Sequence, residues 1–200
     1  MNIAVFVSGT GSNLQALINA EKKKKLAGAS LALVVCDKPG AFALERARKA
    51  GIETFVLETK GFDSREKYDA KIIEKLKEKH IELVALAGFM RILSERFVKE
   101  YEGRIMNVHP ALLPAFKGAH GIKDAFDSGV KVTGVTMHFV TNELDSGPVI
   151  LQKEVRIGAK DTLSSLEKKI HAVEHKLYPE AVRLFVKGKL KITDGKVNIQ

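Results

Sequence analysis

A chain of 200 residues with 45% hydrophobic and 28% charged residues fits one large domain, or less comfortably two small ones, and buries a core without covalent staples. Its one cysteine, Cys36, excludes an intramolecular disulfide, and no apolar run approaches the roughly 20 residues of a membrane span. The net charge of +9 favours an anionic partner. Acids are interleaved with bases in the segments 21–25 and 66–71 without an aromatic platform, so a solvated lysine-rich surface is the leading reading, and a small anionic substrate fits the remaining signal as well as RNA does.

The chain opens on the apolar run Ile3–Val7, a strand, with no basic leader or cleavage site before it; the expectation is a cytoplasmic protein. A glycine turn follows, then an amphipathic helix over 13–25. Leu31–Cys36 repeats the strand pattern, with Cys36 read as a small buried hydrophobe. Residues 41–50 form a helix stopped by Gly51, and Thr54–Leu57 a third strand. Asp63 or Ser64 caps a long helix to about His80, whose apolar face holds Ile72, Ile73 and Leu76. Leu83–Ala87 is a fourth strand and Arg104–His109 a fifth, ended by Pro110. A loop with Pro114 and Gly118 leads to Val132–Val140 and, past Gly147-Pro148, to Val149–Ile157, a candidate antiparallel pair. A last helix over 162–186 precedes a hairpin-like tail turning at Asp194-Gly195.

Short apolar runs alternating with helices predict an α/β fold: a doubly wound, mainly parallel sheet with an antiparallel C-terminal extension. In such sheets ligands sit beyond the carboxyl ends of the strands. That edge carries Ser8–Asn13, Asp37, Gly88–Leu93 and the residues after Val108.

The turn Ser8-Gly-Thr-Gly-Ser-Asn13 joins the first strand to the first helix. Two glycines permit close backbone approach, so the free amides of the helix start and the Ser12 hydroxyl suit a phosphate monoester; a purely structural turn needs the same glycines. Leu14 holds the third glycine position of a dinucleotide fingerprint and no P-loop lysine follows, so a dehydrogenase that reads a ribose with Asp37 is a minor alternative.

Asn107 and His109 lie two apart at a strand end and project to one face, with Val108 turned to the core. A carboxamide beside an imidazole makes an oxyanion site, and a carboxylate such as Asp145 would favour the charged imidazole. A hydrogen-bonded strand end and a turn-forming aspartate explain the same spacing without chemistry. His80, His120, His138, His171 and His175 show no zinc-like spacing, so no metal is expected.

Six blocks in order then carry a resemblance: Val7–Gln15, Phe62–Arg65, Leu86–Leu93, Asn107–Pro114, Leu144–Val149 and Glu174–Pro179. Together they resemble the phosphoribosylglycinamide formyltransferase family, folate-dependent one-carbon transferases of de novo purine biosynthesis, over nearly the whole chain. The resemblance implies a Rossmann-like formyltransferase domain over residues 1–200, with a phosphate-binding half (1–100) and a catalytic and folate-binding half (101–200). It implies transfer of the formyl group of 10-formyltetrahydrofolate, a co-substrate, to the amine of N1-(5-phospho-D-ribosyl)glycinamide.

By the same resemblance Gly11, Ser12 and Asn13 hold the substrate phosphate, while His171, Ala172, Val173 and Glu174 meet its ribose end. Arg65, Met90, Arg91, Ile92, Leu93 and Asn107 form the folate site with Val140, Thr141, Asn142, Glu143 and Leu144. Asn107, His109 and Asp145 form the catalytic trio. Lys117 stands where the family commonly has proline, and the role of His120 is left open. No nucleic-acid or membrane partner is implied, and the protein is expected to be a monomer or homodimer. A formyltetrahydrofolate hydrolase and a methionyl-tRNA formyltransferase share the motifs, but both carry a further domain that 200 residues leave little room for.

Overall fold

The computed structural model describes residues 1–200. Its centre is a seven-stranded sheet in the order β3-β2-β1-β4-β5-β6-β7. The strands are β1 (Asn2–Val7), β2 (Ser30–Cys36), β3 (Glu53–Val56), β4 (Ile81–Leu86), β5 (Ile105–His109), β6 (Val132–Phe139) and β7 (Val149–Arg156). The first five pair in parallel, while β6 and β7 run antiparallel. The helices are α1 (Ser12–Lys22), α2 (Phe42–Ala50), α3 (Arg65–Glu78), α4 (Glu95–Glu100), α5 (Gly121–Asp127) and α6 (Leu163–Val186). A separate hairpin of β8 (Leu190–Thr193) and β9 (Lys196–Ile199) closes the chain.

Both faces of the inner parallel strands β1, β2 and β4 are largely buried, which is why they read as apolar runs, whereas the edge strand β3 is mostly exposed. In β1, Ile3, Val5 and Val7 enter the core shared with α1, α2 and α6, whereas Ala4 and Phe6 enter the core under α3 and α4. Two elements lay outside the sequence expectation. Helices α4 and α5 span six and seven residues, too short for a 3.6-residue periodicity to register. The first helix also stops at Lys22 rather than residue 25, because Lys24 adopts a left-handed φ of 55° that breaks the hydrogen-bond ladder.

Crossovers run from β1 outward through β2 to β3, then return to β4 on the other side of β1. The divergence between β1 and β4 opens a crevice at their carboxyl ends. Tyr178 of α6 ties this point together: its buried hydroxyl donates to Leu86 O at 2.8 Å and to Met106 O at 3.3 Å, and burial pushes its ionisation well above the ordinary range. Tyr178→Phe is expected to lower unfolding free energy by about 1–2 kcal/mol, read as a shift of the urea midpoint at unchanged slope.

Candidate active site

The crevice is a cavity of about 640 Å³ lined by the turn after β1, the segment after β4, the end of β5, Leu144-Asp145, and His171 and Glu174 of α6. Residues from both halves of the chain therefore share it. On the β1 side Gly11 caps α1 with φ 70° and no side-chain cap, so the first amides of an 11-residue helix have no side-chain partner. A Cβ at Gly11 would stand 2.6 Å from Ala43 Cβ, so packing against α2 demands glycine as firmly as any ligand does. Asn13 and His171 both reach Glu174 Oε2, at 3.0 and 2.9 Å, and Glu174 is 4% exposed. Asn13 Oδ1 is enclosed without a partner.

The hydrogen bond that His171 donates to Glu174 holds the ring above its ordinary pKa of 6.5, while burial pushes His175 down. A raised histidine stabilises the fold fully below its unfolded pKa, and that contribution disappears as pH rises through the folded value. The sensitive window therefore lies above pH 6.5. Glu174→Gln should move the His171 midpoint downward in an NMR titration; an unmoved midpoint would exclude this coupling.

At the end of β5, Asn107 and His109 share one strand face and Val108 packs in the α1–α6 core. Asp145, in the loop between β6 and β7, places Oδ2 3.4 Å from His109 Nδ1. His109 and Asp145 are 2% and 9% exposed. His109 Nε2 donates to Phe116 O at 2.7 Å, and Gly118 N donates to Asp145 Oδ2 at 2.8 Å. Both ring nitrogens of His109 thus face oxygens, so a doubly protonated ring finds two acceptors. The Phe116 carbonyl takes the very acceptor position an oxyanion would need, so the 115–118 loop must yield before His109 can serve a substrate.

His138 was absent from the sequence-derived site. It lies opposite Asn107 in the β5–β6 register, accepts from Asn107 Nδ2 at 3.1 Å, and faces Phe139 O through Nδ1 at 2.8 Å. That carbonyl can only accept, so Nδ1 carries the proton and Nε2 is the acceptor that orients the Asn107 amide. Burial holds His138 below its ordinary pKa and keeps it neutral.

Beside the crevice a narrow slot of about 110 Å³ is bounded by Phe89, Leu93, Val98, Val140 and the loop residues Thr141, Asn142, Glu143 and Leu144. Arg91 and Ile92 line both spaces, and Met90 lines the crevice. Met90, Ile92 and Leu144 leave 63%, 59% and 54% of their surface exposed, an apolar rim awaiting cover. Arg65 stands exposed at the start of α3 and borders neither space; Ala172 is exposed, and Val173 packs on the core. Ser8, which anchors the β4 segment by accepting from Met90 N at 3.0 Å, and Phe89 line the crevice too; the sequence placed both on the ligand edge but gave neither a role. Ser8 offered a signal, since it sits at the carboxyl end of β1 where the fold rule points.

Comparison with known proteins places these features in context. The family model described as formyl transferase matches residues 1–182. The chain is 47% identical to phosphoribosylglycinamide formyltransferase of Escherichia coli over 98% of its own length and 92% of that protein. It is 44% identical to the trifunctional purine biosynthetic protein adenosine-3 of Gallus gallus, spanning 98% of this chain but only 20% of that larger protein. The solved structure of glycinamide ribonucleotide transformylase 1 from Symbiobacterium toebii superposes with a TM-score of 0.97 at 41% identity, covering 100% of this chain and 93% of that one.

Proposed function

Because this chain belongs to the formyl transferase family, we propose that it transfers a formyl group from 10-formyltetrahydrofolate to the amine of phosphoribosylglycinamide in purine biosynthesis. The observation that carries the reading is one cavity lined both by an uncapped helix start and by the Asn107–His109–Asp145 cluster. The open amides of Ser12 and Asn13 bind the substrate phosphate, and Glu174 with His171 meets the sugar. The apolar slot and its exposed rim suit a flat folate ring, with Arg91 at its mouth. Arg65, exposed at the start of α3 and outside both linings, meets the carboxylate tail of the folate in this reading.

The neutral substrate amine attacks the formyl carbon, and negative charge develops on the formyl oxygen. Asn107 supplies the amide hydrogen that His138 does not take, and His109 donates through Nε2 once the Phe116 carbonyl withdraws. Asp145 holds Nδ1 of His109 and, through water, passes the proton from the amine toward the departing folate nitrogen. No helix is long and apolar enough to cross a membrane. The reading carries with it a cytoplasmic location and a monomer or homodimer, needing no metal.

The deciding assay follows folate product by absorbance with the glycinamide nucleotide present or omitted. Turnover strictly dependent on the nucleotide is expected. Folate release in its absence would mean water is the acceptor and the protein a hydrolase.

A further inference from the structure

The excess positive charge is not spread evenly. On α3 and its neighbours nearly every lysine meets a carboxylate: Lys67 with Asp63, Lys71 with Glu74, Lys75 and Lys79 with Glu53 and Glu78, and Lys77 with Glu100. The α1–α6 side differs. A groove of about 770 Å³ runs between these helices, lined by Lys23, Lys24, Lys25, Arg46, Lys176 and Lys187. None of the six forms an ion pair. The groove's one carboxylate, Glu180, is engaged by Arg183 at 2.6 Å. Sequence proximity made Glu21 the natural partner of Lys23–Lys25, but Glu21 accepts from Leu31 N at 2.9 Å instead.

Lysines near the carboxyl ends of α1 and α6 are accounted for in part by the helix dipoles. The other end of the groove is not. There Arg46 reaches Thr10 O beside the start of α1, whose dipole already repels cations, and His175 and Lys176 line the same groove as Ser12. Arg46 meets Thr10 O, Gln15 Oε1 and the face of the Phe42 ring at 4.9 Å but no carboxylate, and His175 Nε2 is enclosed without a partner. Such an arrangement concentrates positive potential that an anion would neutralise. From Ser12 to Lys23 the helix rises roughly 16 Å, longer than one phosphate can answer. The lining contains no Phe, Tyr or Trp, and its one imidazole, His175, already stacks on His171, so it offers little on which a base can stack.

We infer that the α1–α6 groove binds a linear triphosphate chain, such as that of a nucleoside triphosphate, and that an occupied groove excludes the phosphorylated substrate from the glycine turn. Recognition is of the phosphates alone. Ser12 belongs to both the groove and the crevice, which makes the two ligands compete. The competitive part rests on the phosphate role proposed above for the glycine turn; the binding part does not.

Calorimetric titration of the full chain with inorganic triphosphate, ATP and adenosine tests the site, with Lys23→Glu/Lys24→Glu/Lys187→Glu as the variant. Lys153→Glu/Lys168→Glu/Lys191→Glu, equal in charge change but outside the groove, is the control. Triphosphate and ATP should bind the wild type alike at one site and adenosine not at all. The groove variant should weaken both by at least about tenfold, and the control by no more than about twofold. In steady-state assays triphosphate should raise KM for the glycinamide nucleotide without lowering kcat, and the groove variant should escape this at unchanged basal turnover. Equal binding by both variants, a marked preference for ATP, or tighter binding of a single-stranded oligonucleotide than of triphosphate would overturn the inference. Calorimetry needs no turnover, so a failed activity reading leaves the binding result standing.

Discussion

His109→Ala and Asn107→Ala are each expected to lower kcat by about 10²–10³, because in the proposed mechanism each removes one donor to the developing oxyanion, worth about 3–4 kcal/mol. The two donors differ in how they are held, and the variants should report that. Asn107 is oriented by neutral His138, so His138→Ala should release the amide and lower kcat with little change in KM for the nucleotide. His109 is held by Asp145 on one side and by the Phe116 carbonyl on the other. With the nucleotide phosphate placed at Ser12 and Asn13, as proposed above, its KM should stay within about threefold in all three variants. Rapid-quench or steady-state kinetics checks this directly. Near-wild-type kcat in both alanine variants would remove the assignment.

Gly147→Ala is expected to cost about 3 kcal/mol of stability and most of the activity together, for a different reason. A Cβ at position 147 would overlap the Phe139 carbonyl oxygen at the end of β6 and stand 3.3 Å from Thr141 Cγ2. Backbone, not a flexible side chain, is in the way. The loop must therefore lift, and Asp145 lies two residues before the obstruction. Gly134→Ala serves as the comparison: its Cβ would overlap Lys153 O and press on Leu112, away from Asp145. Both variants should unfold at lower urea concentration. Under conditions where each remains folded, Gly147→Ala should still be slow and Gly134→Ala close to normal.

Much of the architecture could be read without coordinates because it follows from periodicities local to the chain. Strands buried on both faces are short apolar runs, and Ile3–Val7, Leu31–Cys36 and Leu83–Ala87 announce themselves as such. Ser64 was readable as a cap, and it accepts from Lys67 N at 3.2 Å. Helices α4 and α5 escaped because two turns or fewer leave no repeat to detect. In the site, Asn107 and His109 could be paired by the two-residue period of a strand, and the glycine turn by its position after β1. Asp145, separated from His109 by the whole of α5 and β6, was a candidate carboxylate from its turn, and only the resemblance joined it to the pair as a trio.

What the sequence by itself determined about this protein is therefore the α/β alternation, the edge on which ligands meet the sheet, and the strand-end pair Asn107 and His109. Only the tertiary structure decided that His138 faces Asn107, since cross-strand register is a relation between distant segments. It alone showed that a main-chain oxygen, which no residue type encodes, occupies the acceptor place at His109. It also decided which charges are free. Glu21 sits beside four lysines in the chain yet spends its carboxylate on the Leu31 amide, because hydrogen bonds and ion pairs depend on distance through space.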